Sequence, residues 1–230
     1  MVVRRVGLIL LAVVVAVICV RLGLWQLERL EDRRALNEDI RGGLGAAPVV
    51  LDGAPEWGAA YRRASATGTY DADHVVVLYG RPLEGRPGDH VLTPLRLVDG
   101  SAILVDRGWV PTGARASTPS GEVQVEGILL PSESTDGVPP SGGQVRQIDL
   151  AGIGSVLRYR LAPAYLLARR EEPNISRLPV PAPLPELSEG PHLSYAIQWF
   201  AFAGVAVVGS GALLRRERGP AGAPVYKDEE

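Results

Sequence analysis

The sequence predicts an α+β membrane protein in which two transmembrane helices flank an antiparallel, β-rich extracytoplasmic domain. Two observations predict the helices, because residues 6–20 and residues 193–214 contain no charged side chain. A third observation predicts the domain: the residues between these segments form short runs rich in Val, Ile and Leu, bounded by Gly, Pro and Asp. The chain has 230 residues, so two spans leave room for one modest domain.

The second helix is predicted over residues 192–214. As a helix, Leu193 to Leu214 would be about 33 Å long, enough for a hydrocarbon core of about 30 Å. Tyr195 and Trp199 lie near its start, and Arg215 and Arg216 follow its end. Amphipathic aromatic residues mark a membrane interface and arginines mark the cytoplasmic side. We therefore expect residue 192 at the outer surface and residues 215–230 as a cytoplasmic tail.

The first helix is predicted within residues 1–27, after a short cytoplasmic stub. Its positive start and apolar core are also found in secretory signal peptides. However, no small-x-small cleavage site follows the core, and the apolar pattern continues past Arg21 to Leu27. We expect an uncleaved helix from about Val6 to Leu27, with Arg21 snorkelling to the outer interface beside Trp25.

The distribution of arginines predicts the topology. Arg4 and Arg5 precede the first helix, and Arg215, Arg216 and Arg218 follow the second. The positive-inside rule then places both termini in the cytoplasm, so we expect a multi-pass protein of the cell membrane with the middle segment outside. The formal net charge of −2 gives no basic footprint for binding nucleic acid, and the lipid bilayer is the expected surrounding.

Residues 28–172 are predicted to form the extracytoplasmic domain. A charged helical extension, 28–41, opens it, and Asp99-Gly100 is a strong hairpin signal between two apolar runs. A short helix is expected over 150–159. Residues 173–191 contain six prolines and are predicted to be a semi-extended tether. The predicted strands are 62–70, 75–81, 90–98, 102–106, 123–130, 145–148 and 164–169.

No pattern in the sequence predicts an enzyme or a metal centre. Neither GxSxG nor HExxH occurs, and Cys19 is the sole cysteine. His74 and His90 share no helix face, so we interpret them as loop residues that cap turns rather than as metal ligands.

Two groups of residues are candidates for binding. His192, Tyr195 and Trp199 fall on one face of the second helix at about 100° per residue. Neutral imidazole is a good axial ligand for haem, but the same stripe also suits a plain interfacial anchor, and both interpretations remain open. Arg107, at the end of an apolar run, could hold a haem propionate, or it could mark a turn beside a packed Trp109.

Several motifs together resemble the SURF1 family of cytochrome c oxidase biogenesis proteins. LGxWQxxR is present as Leu22 to Arg29, including Trp25 and Gln26. HLxYAxQWF is present as His192 to Phe200, including Gln198. The middle of the chain carries three further motifs in the family order, which are Gly68-Thr69-Tyr70, Thr93-Pro94 and Val105-Asp106-Arg107-Gly108-Trp109-Val110-Pro111.

The resemblance implies a membrane-bound assembly factor for haem-copper oxidase that assists insertion of haem a into subunit I, without catalysis. It implies cytochrome c oxidase subunit I and haem a synthase as partners, and His192 as the candidate haem contact. The remaining motif positions carry no implied individual role. The alternative is a permanent structural subunit of a respiratory supercomplex, which would be equimolar with the mature oxidase instead of substoichiometric.

Overall fold

The computed structural model describes residues 2–52 and 60–216, which divide into two compact units. The helical unit comprises the described residues up to Asn37 and from Ser188 onward, and the barrel unit extends from Glu38 to Leu187. The barrel unit therefore has different limits from the predicted domain of 28–172. Of the predicted cytoplasmic tail, residues 217–230 lie outside the described part of the chain.

Two helices, α1 (Val2–Gly45) and α3 (His192–Arg216), are each long and apolar enough to cross a membrane. The helical extension predicted over 28–41 is confirmed, because α1 continues past Leu27 through the charged segment as one helix of 44 residues. Residues 28–41 contain no Pro or Gly and are rich in Leu, Glu and Arg, which favour helix. Gly42, Gly43 and Gly45 then bring the helix to its end.

Among its described residues, the barrel unit contains eight strands, one 3-10 turn (Ala72–His74) and the short helix α2 (Leu150–Ser155). Asp149 caps α2, since its carboxylate accepts the backbone N–H of Gly152 at 3.0 Å. In chain order the strands are β1 (Val49–Leu51), β2 (Arg63–Tyr70), β3 (Val76–Leu78), β4 (Gly88–Arg96), β5 (Ala102–Pro111), β6 (Glu122–Pro131), β7 (Gln144–Val145) and β8 (Leu161–Glu172).

Five of these strands close into a barrel. They follow the order β2-β6-β8-β5-β4, and β4 pairs again with β2. The prediction of an antiparallel sheet is wrong for three pairs, since β1–β2, β3–β7 and β5–β8 are parallel. The chain leaves β6, passes through α2 and returns as β8 between β6 and β5, so β8 runs in the direction of β5.

The local sequence signals locate most of these strands but misplace their ends. The hairpin at Asp99-Gly100 is confirmed, because it joins the antiparallel strands β4 and β5. The strand predicted over 145–148 is reduced to β7, and the helix predicted over 150–159 ends at Ser155. The sequence analysis missed β1, whose three residues follow an Ala/Pro stretch and are too few to show alternation.

The core consists of two clusters on opposite faces of the sheet. Ile103 and Val105 belong to the cluster inside the barrel, while Leu104 between them belongs to the cluster that contains Ile153 of α2. Both faces of β5 are therefore buried, which explains why its sequence is a continuous apolar run instead of an alternating one.

Part of the proline-rich segment 173–191, predicted to be a semi-extended tether, packs on the barrel. Val180 pairs with Trp109 of β5 through two backbone hydrogen bonds of 2.7 and 2.8 Å. Ala182 is buried and its carbonyl accepts a hydrogen bond from the Arg169 side chain at 2.5 Å. Because prolines flank Val180 on both sides, it is the one residue of 179–181 with a backbone N–H to offer β5.

Candidate functional site

The predicted site residues divide between the two units. Trp25, Gln26 and Arg29 on α1 belong to the helical unit, as do the α3 residues His192, Tyr195, Gln198 and Trp199. Arg107, Gly108 and Trp109 lie on β5 in the barrel unit. We describe the two groups separately.

The two long helices of the helical unit approach each other closely at small residues. Gly23 of α1 is buried, and a Cβ atom there would lie 2.6 Å from Cε1 of the Phe200 ring on α3. Cys19 on α1, and Ala196 and Ala203 on α3, are also buried. Glycine and alanine at such contacts allow helix backbones to come close, as is common for helices in membranes.

One hydrogen bond joins the two terminal motifs of the resemblance. Nδ1 of His192, at the start of α3, lies 2.8 Å from Oε1 of Gln26 on α1, although the residues are 166 positions apart. An amide oxygen only accepts hydrogen bonds, so this contact is a hydrogen bond in the tautomer that carries the imidazole proton on Nδ1. In that tautomer the lone pair lies on Nε2, which would be 3.4 Å from a Cβ atom placed on Gly190, and the ring as a whole is half-buried.

The aromatic residues near His192 are partly exposed. Tyr195 has 46% of its surface accessible. Trp199 is half-buried and meets Phe202 edge-to-face, with ring centroids 5.9 Å apart. Both follow His192 on α3, within two turns of the helix, as the helical spacing predicts. Gln198 is exposed on the same helix.

Three arginines that follow Gln26 on α1 make contacts within the helical unit. The Arg29 guanidinium lies 6.0 Å from the centroid of the exposed Trp25 ring and 3.4 Å from the Asp32 carboxylate. Arg33 donates to the Ser188 carbonyl at 3.3 Å, and Arg34 pairs with Glu189 at 3.0 Å. Sequence reasoning missed the last two contacts. The available signal was the i, i+7 spacing of Gln26 and Arg33, which places both on one helix face.

Arg107 of β5 forms an ion pair with Glu171 of β8, and the arginine is the buried partner. Arg107 donates two hydrogen bonds to Glu171, from Nε at 3.0 Å and from Nη2 at 2.8 Å, and a third to the carbonyl of Ser117. Tyr70 also donates to Glu171 at 2.8 Å, and its ring lies under the Arg107 guanidinium at 4.9 Å. Burial, together with the Glu171 charge, raises the pKa of the Tyr70 hydroxyl, so this group remains a donor.

Arg107 therefore has a structural partner that the sequence analysis did not foresee. Tyr70 and Arg107 both come from motifs of the resemblance, whereas Glu171 comes from none. A contact between Arg107 and a haem propionate stays a prediction, and Glu171 already balances the charge that this contact would use.

A cleft of about 880 Å³ opens beside this ion pair. It is bounded by the ends of β6 and β8 and by the proline-rich segment up to Pro181. Its lining has three arginines and three glutamates, so it carries no net charge; these are Arg107, Arg169, Arg170, Glu122, Glu171 and Glu172. The balance gives the cleft no preference for an anionic ligand.

Gly108 and Trp109 have packing roles. Gly108 has a φ of 117°, and a Cβ atom there would clash with the carbonyl of Val180. Trp109 is 3% exposed, lies against Gly88, and has the Arg86 guanidinium 5.2 Å from its ring centroid.

The other histidines are paired with carboxylates. His74 contacts Asp71 at 2.9 Å and ends the 3-10 turn. The expectation that His90 is a loop residue is wrong, because it lies on β4 and its Nδ1 is 2.8 Å from the buried Asp106. Among residues 2–52 and 60–216, no three His, Cys, Asp or Glu side chains converge as a metal site.

Comparisons with known proteins agree with the motifs. The model of the SURF1 family matches residues 13–204. A SURF1-like protein of Mycobacterium tuberculosis is 31% identical, with 87% of this chain and 81% of the relative covered. SURF1-like proteins of Rickettsia felis (26% identical, 84% and 91% covered) and Monosiga brevicollis (27%, 89% and 86%) are also similar. The motifs at both ends of the chain and the extent of these matches show that the protein belongs to the SURF1 family.

Proposed function

We propose that this protein is a membrane-bound assembly factor for haem-copper oxidase that holds haem a at His192 and assists its insertion into subunit I. Haem a synthase would be the source of the haem, and subunit I would receive it. The SURF1 family consists generally of cytochrome oxidase assembly factors, which supports the coarse role. No catalytic step is part of the proposal.

The hydrogen bond between Gln26 and His192 is the observation that carries the haem assignment. Because Nδ1 is occupied by the amide oxygen at 2.8 Å, Nε2 is the nitrogen left for a metal. Histidine ligands of metals typically donate the N–H of their other ring nitrogen to an oxygen acceptor in this way. Haem a, when bound, would supply the iron that Nε2 coordinates.

Other side chains of the helical unit could contact the porphyrin ring and the propionates of haem a. Tyr195 and Trp199 offer partly exposed aromatic surface within two turns of His192. Arg21 and Arg29 are exposed on α1, and arginine pairs with carboxylates such as propionates through parallel hydrogen bonds. We propose Arg29, which follows Gln26 by three residues, as the first propionate partner to test.

The proposal includes insertion of α1 and α3 into the cell membrane with both termini in the cytoplasm. Length and composition of both helices support insertion, and the arginines at the chain ends support the orientation. Reporter fusions after Arg41 and after Arg218 should give an external and a cytoplasmic signal, respectively. A cytoplasmic signal from the first fusion would contradict this topology.

Replacement of His192 by glutamine should remove most of the haem without unfolding the protein. Removing a hydrogen-bond partner of a metal ligand typically lowers metal affinity about 10–100-fold. Removing the ligand itself should therefore lower haem content at least about tenfold. The measurement is the Soret band of wild type and His192→Gln, co-expressed with haem a synthesis at matched protein levels. Equal haem in both would leave His192 as an interfacial anchor, because glutamine serves an anchor equally well.

A further inference from the structure

We infer that Gln26 is the positioning residue of the His192 site, and that its amide oxygen holds the imidazole proton on Nδ1 and directs Nε2 toward an iron centre. The effect of Gln26 on haem binding rests on the proposed function. Its basis is the 2.8 Å contact between Oε1 of Gln26 and Nδ1 of His192, a contact to which the family membership assigns no role.

For a neutral imidazole, the chemistry of the contact allows one arrangement. Oε1 has no proton to give, so the imidazole nitrogen must be the donor. Neutral histidine has one N–H, and placing it on Nδ1 leaves a lone pair on Nε2. An acceptor on the far nitrogen also makes the imidazole a more basic ligand and fixes the plane of the ring.

Contacts on both sides of Gln26 hold it at this distance. One turn earlier on α1, Gly23 packs against the Phe200 ring. Seven and eight residues later, Arg33 binds the Ser188 carbonyl and Arg34 pairs with Glu189, only a few residues before His192. The amide belongs to α1 and the imidazole belongs to α3, and contacts on both sides of this pair hold the two segments together. Such support preorganises a ligand.

Variants at Gln26 separate positioning from simple helix packing. Gln26→Leu keeps the approximate size of the side chain and removes the acceptor. Gln26→Glu keeps an acceptor and gives it a negative charge. Gln147→Leu is the matched control, because it makes the same change at an exposed glutamine of the barrel unit.

The first test measures the proton position directly in the full-length, haem-free protein. Nitrogen-15 NMR of histidine-labelled protein in detergent micelles distinguishes the two tautomers, and His192→Gln identifies the His192 signals. We expect a proton on Nδ1 in wild type and Gln147→Leu, and a redistribution to Nε2 in Gln26→Leu. A proton on Nε2 in wild type, or no change in Gln26→Leu, would overturn the inference even if His192 binds haem.

The second test measures the consequence for haem. Titration of purified apoprotein with haem a should show an affinity about 10–100-fold lower for Gln26→Leu and unchanged for Gln147→Leu. Gln26→Glu should retain haem and lower its midpoint potential, since a more basic imidazole favours ferric iron. Wild-type affinity in Gln26→Leu, alongside loss of haem in His192→Gln, would refute the positioning role. Retention of haem in His192→Gln would refute the proposed function and, with it, the direction of Nε2 toward iron.

Discussion

Glu171→Ala is expected to destabilise the barrel unit by about 3–5 kcal/mol, because it leaves the Arg107 guanidinium buried without a counter-charge. The Arg107 side chain is 2% exposed, and two of its three hydrogen bonds end on Glu171. Tyr70 would lose its acceptor in the same variant. For a unit of this size the loss corresponds to a fall in Tm of about 6–20 °C, measurable by circular dichroism of the full-length protein.

Two further variants test whether burial is the cause. Glu172→Ala removes the next carboxylate along β8, whose exposed pair with Arg170 should be worth no more than about 1 kcal/mol. The double variant Arg107→Met/Glu171→Leu removes both charges and should recover most of the stability lost in Glu171→Ala, since buried ion pairs can often be replaced by apolar side chains. Equal melting of Glu171→Ala and Glu172→Ala would contradict the explanation.

Trp109→Ala is expected to cost about 3–5 kcal/mol, the usual range for truncating a buried aromatic side chain. The ring is 3% exposed and packs over Gly88, and its backbone carries the pairing with Val180. Truncation would leave a cavity beneath the Arg86 side chain, which stacks on the ring. The measurement is again thermal unfolding of the full-length protein.

Trp109→Phe serves as the control for Trp109→Ala. The indole N–H has no hydrogen-bond partner among the described residues, so phenylalanine loses no polar contact and should cost less than about 1.5 kcal/mol. If Trp109→Ala melts like wild type but abolishes oxidase assembly, Trp109 is a contact residue for a partner protein and not a packing residue.

The sequence predicted the elements of the fold better than their arrangement. Uncharged runs located both long helices, and Asp99-Gly100 located the β4–β5 hairpin. These signals are local, because length, charge and turn chemistry act on neighbouring residues. Closure of the barrel, and the parallel pairing of β5 with β8, depend on strands about 60 residues apart, for which a single sequence carries no register signal.

The candidate site shows the same division. By itself, the sequence determined that His192 begins an apolar helix with Tyr195 and Trp199 on it, and that Trp25, Gln26 and Arg29 end another apolar run. Only the tertiary structure decided that Gln26 is the partner of His192, across 166 residues, and that Arg107 is paired with Glu171. Periodicity reports which face of an element is buried, but hydrogen-bond partners are chosen by packing of distant segments, and that packing places the Gln26 amide oxygen beside Nδ1 of His192.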